Sequence, residues 1–596
     1  MIVSTKSSTL QTSTLAIAVL SLINKAAATP LQRQSSAISW SPCPDHDKTQ
    51  CTFFDVPRDY SNPDDNDTVS IFMRKLPANV SDGSRLGTIL INPGGPGESG
   101  SSFAAKTGEA LSSVVDGRYD IIGFDPRGVN LTGPWTACFD AEAKPLLMSY
   151  QQELTGAPYP HSTLDKDRAI VNKLMAIQAG HSAACVANGN RKMLESSGTA
   201  FVVQDMARIV EALGEDGINF WGFSYGTILG ATFAAMRPDL VRRMLLDGVS
   251  NSESYYNDVL QWGRDGMAGT EKTYTGFLST CADAGPDLCA FAAPPGNSTE
   301  KQTTETLRKR LTGIFTRLGQ QPMVVADSLV GPGILTAPEL QALLLSRFYA
   351  ANTWPEMMQM LVEIEKGNAT TAYNELYYPL ATLDNLPYNH NVFNRSMQRY
   401  NTRESLMSIL CSETDAINLS VNAYTDYFIE MGKISPVGEA WAKLAGGCNG
   451  WPFRSSQRYT GPWTVEKGLK KTKFPILFTS LDGDPVTPLS SAIKMSRGFG
   501  EESATLLVQE GFGHCTFSHP SLCTHKHIRD YFIEGKVPPN GTHCTPEPGF
   551  IYPTNGTNSK REVPGLDKRD AELLESVHKL REARSKFNLD PFRRWL

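Results

Sequence analysis

The amino-acid sequence predicts an α/β fold with a mostly parallel central sheet covered by helices, and two observations carry this prediction. Apolar runs rich in Ile, Val, Leu and Phe end at or near Gly, Pro, Asp or Asn, and their hydrophobicity is continuous, as in strands buried on both faces. Helical patterns lie between these runs, for example at 202–213, where Val203, Met206 and Val210 recur at steps of three or four residues. The predicted strands span 88–92, 119–125, 218–223, 241–247, 474–480 and 505–508.

This alternation of strands and helices stops between about residues 250 and 472, where aromatic clusters and Pro-rich joints accompany helical periods. Because the strands on either side would complete one sheet, we expect a mainly helical cap at 250–472. It would be inserted between two parts of the sheet domain, at 38–249 and 473–548. A separate binding domain between two independent domains is the alternative. The helical periods lie at 304–318, 337–348 and 357–365.

The composition is that of an ordinary globular protein, which excludes collagen-like and mostly disordered chains. Of the 596 residues, 40% are hydrophobic and 20% are charged, and 56 Lys and Arg against 62 Asp and Glu give a net charge of −6. A nucleic-acid-binding protein needs a basic face to displace counterions from phosphate, so we expect no DNA or RNA partner.

The first segment of the chain, 1–28, is typical of a secretory signal peptide. Lys6 lies in a polar start, an apolar run follows at 15–23, and Ala26 to Ala28 form an A-x-A site. That run is shorter than the roughly 20 residues needed to cross a bilayer core, and a buried N-terminal helix is the alternative. No later segment is apolar enough to span, so we expect a soluble, secreted protein without a membrane partner. Asn-x-Ser/Thr acceptors agree with a glycosylated surface, at Asn66, Asn79, Asn130, Asn297, Asn368, Asn394, Asn418, Asn540 and Asn555.

Eleven cysteines in an oxidising compartment indicate disulfide bonds. Local spacing proposes four pairs and leaves Cys515, Cys523 and Cys544, so at least one thiol is expected to stay unpaired. The chain has no C-x-x-C pair, and its histidines are not at zinc-ligand spacing beside the cysteines, so we expect neither a metal nor another cofactor. The four pairs are Cys43 with Cys51, Cys138 with Cys185, Cys281 with Cys289, and Cys411 with Cys448.

The end of the chain, 549–596, is a charged tail with an apolar stripe. We expect a solvated or peripherally docked helix there. Dibasic pairs at 560–561 and 568–569 suggest trimming by a secretory-pathway protease as a further hypothesis. The stripe consists of Leu573, Leu574, Val577, Leu580 and Phe587.

The motif Gly-Phe-Ser-Tyr-Gly at 222–226 marks the predicted reactive centre. It directly follows the predicted strand INFW and precedes a helical pattern at 227–236. Small residues two before and two after the serine let the chain turn sharply and expose the serine side chain above the sheet. We therefore predict that Ser224 is a nucleophile rather than part of a structural turn.

A serine hydroxyl needs a base to remove its proton, and the base needs a carboxylate to orient it. In this architecture the chain order is serine, acid, histidine. Asp484 leaves the strand PILFTS and His514 follows the strand TLLV, so both lie at carboxyl ends of strands, where open α/β sheets place their sites. Asp482 and Asp247 are the alternative acids. The other histidines beyond the turn are expected at the surface: His519, His525 and His527.

The carbonyl oxygen of an acyl substrate becomes negative during such a reaction and needs backbone N–H donors. We expect one donor from Tyr225, the residue after the nucleophile. The other should come from the Gly-rich loop at 93–100, because glycines let a backbone close around the oxygen. A phosphate-cradling loop is the alternative, but the glycines match neither the Walker spacing nor G-x-G-x-x-G.

Together these motifs resemble the secreted tripeptidyl-aminopeptidase-like (TAP-like) branch of the α/β-hydrolase superfamily, related to the proline iminopeptidases. The resemblance covers about residues 41–544 and rests on INPGGPGESG, YDIIGFDPRGVN, WGFSYGTILGATFAAMRPDLVRRMLLDGV, DPVTP and GFGHCTFSHPSLC. It implies an α/β-hydrolase fold with a cap and a triad of Ser224, Asp484 and His514. It also implies oxyanion donors at Gly95 and Tyr225.

The resemblance extends to residues outside the triad. Asp125 and Arg127 of GFDPRG match a family motif, and we expect them to be structural, as an ion pair or a turn-fixing group. Pro93 stands where the iminopeptidases have His, which argues against carrying over their substrate preference. For the cysteines the resemblance implies two bridges and an odd thiol: Cys411 with Cys448, Cys523 with Cys544, and Cys515 left over.

The sequence therefore predicts a secreted serine hydrolase, most simply an exopeptidase that releases short peptides or residues from peptide N-termini through an acyl-enzyme. An esterase or lactone hydrolase with the same triad is the alternative, since fold analogy does not separate substrates. A binding protein with an inactive site is the third possibility. An exopeptidase must also bind the substrate ammonium, and a carboxylate of the cap would do so. Candidates are Glu356, Glu413 and Asp415.

Overall fold

The computed structural model describes residues 38–63, 66–136, 164–296, 298–381, 402–553 and 566–593, with short pieces between 138 and 158. No helix in this part of the chain is long and apolar enough to cross a membrane. Several sequence predictions lie outside the described residues: the signal peptide at 1–28, the dibasic pair at 560–561, and the acceptors Asn297, Asn394 and Asn555.

One ten-stranded sheet forms the centre of the protein. Its strands are β1 (Ser41–Cys43), β2 (His46–Pro57), β3 (Thr68–Leu76), β4 (Gly87–Asn92), β5 (Tyr119–Phe124), β6 (Ile218–Phe223), β7 (Val241–Asp247), β10 (Ile476–Gly483), β11 (Ala504–Phe512) and β12 (Thr542–Cys544), and β8 (Met323–Val325) with β9 (Gly333–Leu335) forms a separate hairpin. The order across the sheet is β1-β2-β3-β5-β4-β6-β7-β10-β11-β12. Neighbours from β5 to β12 are parallel, whereas β1, β2 and β3 pair antiparallel at one edge.

The strands arise where the sequence places continuous apolar runs. Every residue of β6 is buried, as expected for a strand covered on both faces. The strands β10 and β11 continue beyond their predicted ends, because parallel pairing extends along them to the partners Gly483 and Phe512. The three-residue strands of the β8–β9 hairpin are too short for a sequence pattern to reveal.

Helices cover both faces of the sheet, as predicted. They are α1 (Gly100–Val114), α2 (Leu164–Asn188), α3 (Arg191–Leu194), α4 (Thr199–Ala212), α5 (Tyr225–Met236), α6 (Ser252–Asn257), α7 (Val259–Met267), α8 (Thr270–Ala284), α9 (Thr304–Gln320), α10 (Ala337–Phe348), α11 (Trp354–Glu365), α12 (Thr370–Ala381), α13 (Thr402–Glu413), α14 (Val421–Ile434), α15 (Gly438–Ala445), α16 (Leu489–Phe499), α17 (Leu522–Glu534) and α18 (Lys568–Arg593). Side chains of α1, α17 and α18 share one apolar core with the sheet. Side chains of α4, α5 and α16 belong to the core on the opposite face.

The chain between β7 and β10, residues 248–475, is mostly helical and is called the inserted segment below. It contains α6 to α15 and the β8–β9 hairpin. The two flanking strands pair in parallel, with Leu245 opposite Leu477 and Asp247 opposite Thr479, so they belong to one sheet. The core of the inserted segment is continuous with the core around α4, α5 and α16.

The tail forms the long helix α18, which docks on the sheet face that carries α1 and α17. Leu573, Val577 and Leu580 are buried there. Two ion pairs flank the apolar stripe, from Arg569 to Asp116 at 2.6 Å and from Lys526 to Asp570 at 2.7 Å. The predicted stripe is therefore the buried side of the helix, apart from Phe587, whose side chain lies outside the described residues.

Five disulfide bonds confirm the predicted pairing. They are Cys43–Cys51, Cys138–Cys185, Cys281–Cys289, Cys411–Cys448 and Cys523–Cys544. Cys515 is buried and takes no part in these disulfides.

Candidate active site

Ser224 occupies the sharp turn between β6 and α5. Its φ of 57° and ψ of −125° are costly for a residue with a Cβ, and such strain is typical of a nucleophile held on a tight turn. The glycines around it permit close approach: a Cβ on Gly226 would lie 2.7 Å from the carbonyl oxygen of Asn92. A Cβ on Gly94 would lie 2.8 Å from the Cβ of Ser224. The turn therefore depends on glycine both within the motif and in the facing loop.

Asp484 and His514 meet where β10 and β11 end side by side. Asp484 directly follows β10, and His514 comes two residues after β11. The imidazole Nδ1 lies 3.0 Å from Asp484 Oδ2 and 3.1 Å from Oδ1, and both side chains are buried. This contact leaves Nε2 as the nitrogen that is available to take a proton from a serine hydroxyl.

The carboxylate of Asp484 receives several other hydrogen bonds. Val486 N and Thr487 N donate to Oδ1 at 3.0 and 2.8 Å, and Cys515 N donates to Oδ2 at 2.9 Å. Burial by itself raises the pKa of this carboxyl, but the neighbouring His514 and the backbone donors outweigh burial and hold the pKa below its usual value. Asp484 is therefore ionised at neutral pH and fixes the tautomer of the imidazole.

Asp247, one of the alternative acids, braces the site instead of contacting the imidazole. Its carboxylate accepts from Thr516 N at 2.9 Å and from Thr516 Oγ1 at 2.7 Å. Its carbonyl oxygen accepts from Ser224 N at 3.0 Å. Burial raises the pKa of Asp247 to about 6, although the bonds from Thr516 oppose this. One residue at the end of β7 thus joins the Ser224 turn to the loop that follows His514.

Asp482, the other alternative acid, contacts Gly511 and Lys272. Its carboxylate accepts from Gly511 N at 3.1 Å and pairs with Lys272 Nζ at 2.6 Å. Of the three candidate acids, Asp484 is therefore the one that the described structure brings into hydrogen-bond contact with His514.

The expectation that the later histidines lie at the surface is wrong for two of them. His519 and His525 are buried, and burial lowers the pKa of each to about 4, so both rings are neutral at pH 7. His519 Nδ1 accepts from Phe512 N at 3.2 Å. The ring of His519 also packs against Phe550. Residues distant in the sequence, such as Phe550, help to cover these rings, so local sequence patterns do not predict their burial.

The two predicted oxyanion donors lie at the start of α5 and in the Gly-rich loop beside it. Tyr225 is the first residue of α5, and its N–H has no acceptor within that helix. The Gly-rich loop turns with φ values of 115° at Gly94 and 103° at Gly95, which favour glycine. A Cβ on Gly94 would lie 3.2 Å from Tyr225 N, so the loop runs directly past that N–H.

Three residues make contacts at the Asp484–His514 pair that were not predicted from the sequence. Thr487 Oγ1 donates to Asp484 Oδ2 at 2.8 Å and lies 3.1 Å from His514 Nδ1. Tyr349 of the inserted segment accepts from His514 N at 2.9 Å, and its ring stands edge-on to the imidazole at 4.9 Å between centroids. Cys515 has a φ of 67°, a strained conformation that accompanies its N–H bond to Asp484. The DPVTP motif could have indicated Thr487, whereas nothing local marks Tyr349.

Asp125 and Arg127 have the turn-fixing role expected of them. Asp125 is buried and accepts from Ser99 Oγ at 2.7 Å and Ser101 N at 3.0 Å, which ties it to the start of α1 just after the Gly-rich loop. Arg127 pairs with Asp205 at 2.6 Å and donates to carbonyl oxygens of β2 and the residue after it. Both side chains thus stabilise loops near the site without contacting the triad.

The three candidate ammonium ligands have very different surroundings. The Glu356 side chain is 73% exposed and lies 3.5 Å from Arg347, and the Asp415 side chain is 59% exposed and pairs with Arg458 at 2.8 Å. Glu413 is 0% exposed, and both of its carboxylate oxygens accept hydrogen bonds from within the protein. Glu413 is therefore not placed as an open ligand for a substrate amine.

Three side-chain groups of the described residues are close enough to share a metal ion. In two of them, one around His181 and one around His527, the cysteines are joined in disulfides and offer no thiolate. The third consists of Asp484, His514 and Cys515. A metal ion there would compete with the hydrogen bond between the acid and the imidazole.

Two family models match the chain, one with the description "alpha/beta hydrolase fold" at residues 87–283 and one with the description "TAP-like protein" at residues 434–544. Serine protease Hip1 from Mycobacterium tuberculosis is 24% identical over 530 residues, which are 85% of this chain and 91% of that protein. Tripeptidyl aminopeptidase from Streptomyces coelicolor is 31% identical over 230 residues, 38% of this chain and 39% of that protein. Carboxylesterase B from M. tuberculosis is 23% identical over 508 residues, 83% of this chain and 86% of that protein. Together with the sheet order described above, these matches show that the chain has an α/β-hydrolase fold and that its residues 434–544 are similar to TAP-like proteins.

Proposed function

We propose that this protein is a secreted serine peptidase that removes short peptides or single residues from peptide N-termini through an acyl-enzyme on Ser224. The observation that carries the proposal is the buried His514–Asp484 pair, 3.0 Å apart, at strand ends next to the strained serine turn. Two relatives named for peptide cleavage, Hip1 and tripeptidyl aminopeptidase, support a peptide substrate. The predicted leader and five disulfides, which form in oxidising compartments, support export.

In the proposed reaction, Ser224 Oγ attacks the scissile carbonyl while His514 Nε2 takes its proton. Asp484 holds the opposite ring nitrogen and stabilises the imidazolium that forms. The N–H groups of Tyr225 and Gly95 donate to the oxyanion of the tetrahedral intermediate. His514 then gives its proton to the leaving amine. Water attacks the acyl-enzyme while His514 Nε2 takes its proton, and His514 returns that proton to Ser224 Oγ as the acyl group leaves as a carboxylic acid.

Labelling with a fluorophosphonate tests this proposal directly. The folded wild-type protein should be labelled once and should release N-terminal fragments from a mixed peptide library, as read by mass spectrometry. Ser224→Ala should lose both labelling and turnover. Ser113→Ala, at an exposed position of α1, is the matched control and should retain both. Labelling that persists in Ser224→Ala, or a folded wild-type protein that is not labelled, would contradict the proposal.

Ester hydrolysis is the second candidate function, and the match to carboxylesterase B over 83% of this chain favours it. The same triad attacks esters and amides, so the two functions differ in substrate and not in mechanism. Peptide amides and simple esters with matched acyl groups separate them. Turnover of the esters with no cleavage of the amides would reject the peptidase and leave the esterase.

A further inference from the structure

A buried carboxylate of the inserted segment accepts hydrogen bonds close to the nucleophile turn. Glu413, the last residue of α13, accepts at Oε1 from Thr199 Oγ1 at 2.7 Å and from Tyr255 Oη at 2.6 Å. Its other oxygen, Oε2, accepts from Thr199 N at 2.6 Å. Both oxygens are thus occupied by donors of the protein, and a substrate ammonium would have to displace them.

The hydrogen-bond chain continues from Glu413 to Tyr225. Thr199 Oγ1 has one proton, which it donates to Glu413. The same oxygen lies 2.5 Å from Tyr225 Oη, so in this arrangement the threonine accepts and the tyrosine donates. The result is a directed chain from Tyr225 through Thr199 to Glu413.

Thr199, the middle member of this chain, is also joined to Glu413 through its backbone N–H. Thr199 begins α4, and the preceding N-cap residue, Gly198, has no side chain that could accept from the first N–H groups. Glu413 Oε2 supplies that acceptor from another element of the fold. A Cβ on Gly198 would lie 3.2 Å from this oxygen, so the glycine leaves room for the carboxylate.

Tyr225 is the residue on which this chain acts. Its side chain is buried, with its ring 5.8 Å from that of Tyr255, and its hydroxyl is held by Thr199. Its backbone N–H is the first of α5, beside the Gly-rich loop. The anchored ring and the N–H predicted to donate to the oxyanion thus belong to one residue.

We propose that Glu413 is a positioning residue, which acts through the hydroxyls of Thr199 and Tyr225 to hold the Tyr225 N–H in line with the substrate oxyanion. This inference rests on the proposed function, because it needs an acyl-transfer reaction at Ser224. It assigns to the inserted segment a direct part in forming the oxyanion hole.

Four variants test the proposal with matched controls. Tyr225→Phe removes the hydroxyl at one end of the chain. Glu413→Gln replaces one of the two acceptor oxygens with an NH2 donor, which then faces a donor of Thr199. Both variants keep the shape of the side chain. Glu404→Gln changes another buried glutamate of α13, which accepts from Cys138 N at 2.8 Å. Tyr119→Phe removes a buried phenol hydroxyl that donates to Phe532 O at 2.6 Å, at the opposite end of the sheet from the site.

The readouts are kcat and KM for a peptide amide and the affinity for a peptide aldehyde, which forms an oxyanion on binding. We expect Glu413→Gln and Tyr225→Phe each to lower kcat about 10-fold, because a misplaced donor loses part of the 10²–10³-fold that one oxyanion donor supplies. KM should change less than about 2-fold, and aldehyde affinity should fall by the same factor as kcat. The double variant should match either single variant, because both changes interrupt one chain.

Other results would overturn the proposal. These are unchanged kcat in folded Tyr225→Phe, losses that multiply in the double variant, or controls that lower kcat as much as the test variants. A change confined to KM would point instead to Glu413 as a substrate ligand. Failure of the proposed function is recognised separately, because the Ser224→Ala variant would then turn over peptides at the wild-type rate.

Discussion

The carboxyl ends of the sheet strands and the inserted segment hold buried carboxyl groups in opposite ways. Asp484 is buried beside His514 and several backbone N–H groups, and its pKa stays below the usual value despite burial. Glu404 and Glu439 are buried among helices, and burial raises the pKa of each to about 7. Oε1 of Glu439 has no hydrogen-bond partner among the described residues.

The difference follows from how many backbone N–H groups near each carboxyl are already used in helical hydrogen bonds. Within helices, the N–H groups are used by carbonyls four residues earlier, so a carboxyl buried among helices finds few of them. Loops that follow parallel strands have N–H groups to spare, and those at 486, 487 and 515 converge on Asp484. Asp484 therefore keeps its charge, whereas Glu404 and Glu439 bind protons near neutral pH. Asp247 lies between these cases, because it has fewer donors and the nearby charge of Asp484 helps to raise its pKa.

The largest predicted effect on kcat comes from substitutions at the strand ends. Asp484→Asn should lower kcat by about 10⁴-fold, because the imidazole loses the acceptor that holds its Nδ1–H. Asp247→Asn should cost only about 10-fold, because the residue braces Thr516 and does not contact the imidazole. Steady-state kinetics on one peptide amide measure both variants. Equal losses in the two variants would show that the acid assignment is wrong.

We expect the tail helix α18 to contribute both to the stability of the sheet domain and to activity at the site. It packs against α1, α17 and the turn 516–518 that follows His514. Val577→Ala should lower the free energy of unfolding by about 2 kcal/mol, because it empties part of a fully buried site. Deletion of 566–596 should cost more and should also reduce kcat. Lys579→Ala, on the exposed side of the same helix, is the control, and urea unfolding measures all three. A deletion variant as stable and active as the wild type would exclude a structural role for the tail.

The smallest predicted effect concerns the inserted segment and depends on pH. The folded-state pKa of Glu404 is raised from 4.5 to about 7, so its protonated form contributes stability that is complete below pH 4.5 and lost as the pH rises through 7. Glu404→Gln has no such loss. Between pH 5 and pH 8 the free energy of unfolding should therefore shift in favour of the variant by on the order of 1–3 kcal/mol.

Urea midpoints at several pH values measure this shift. Glu305→Gln, at a side chain that is 67% exposed, is the matched control, and its urea midpoint should depend on pH in the same way as that of the wild type. A difference between Glu404→Gln and wild type that stays constant with pH would contradict the assignment of a buried, proton-binding carboxyl.

Much of the sheet and of the candidate site follows from local sequence signals. The strand β6 is buried at every position and apolar except at Asn219, and the glycines around Ser224 are required by close backbone contacts, so both features can be recognised from adjacent residues. The disulfide partners Cys43 and Cys51 lie within one hairpin, where spacing is enough to suggest the bond. Asp484 and His514 are predictable because parallel strands bring their carboxyl ends to one edge.

Other features depend on contacts between elements that are distant in the chain. The burial of His525, the contact of Tyr349 with the imidazole, and the attachment of Glu413 to Thr199 each join segments that local periodicity treats independently. A periodic pattern reports which side of a helix is apolar, but not which element covers it. By itself, therefore, the sequence determined the strands and the serine turn, and it predicted the order of the triad residues, because these rest on signals in neighbouring residues. Tertiary structure alone decided which carboxyl groups keep their charge and which bind protons, because that depends on the donors that distant elements bring to them.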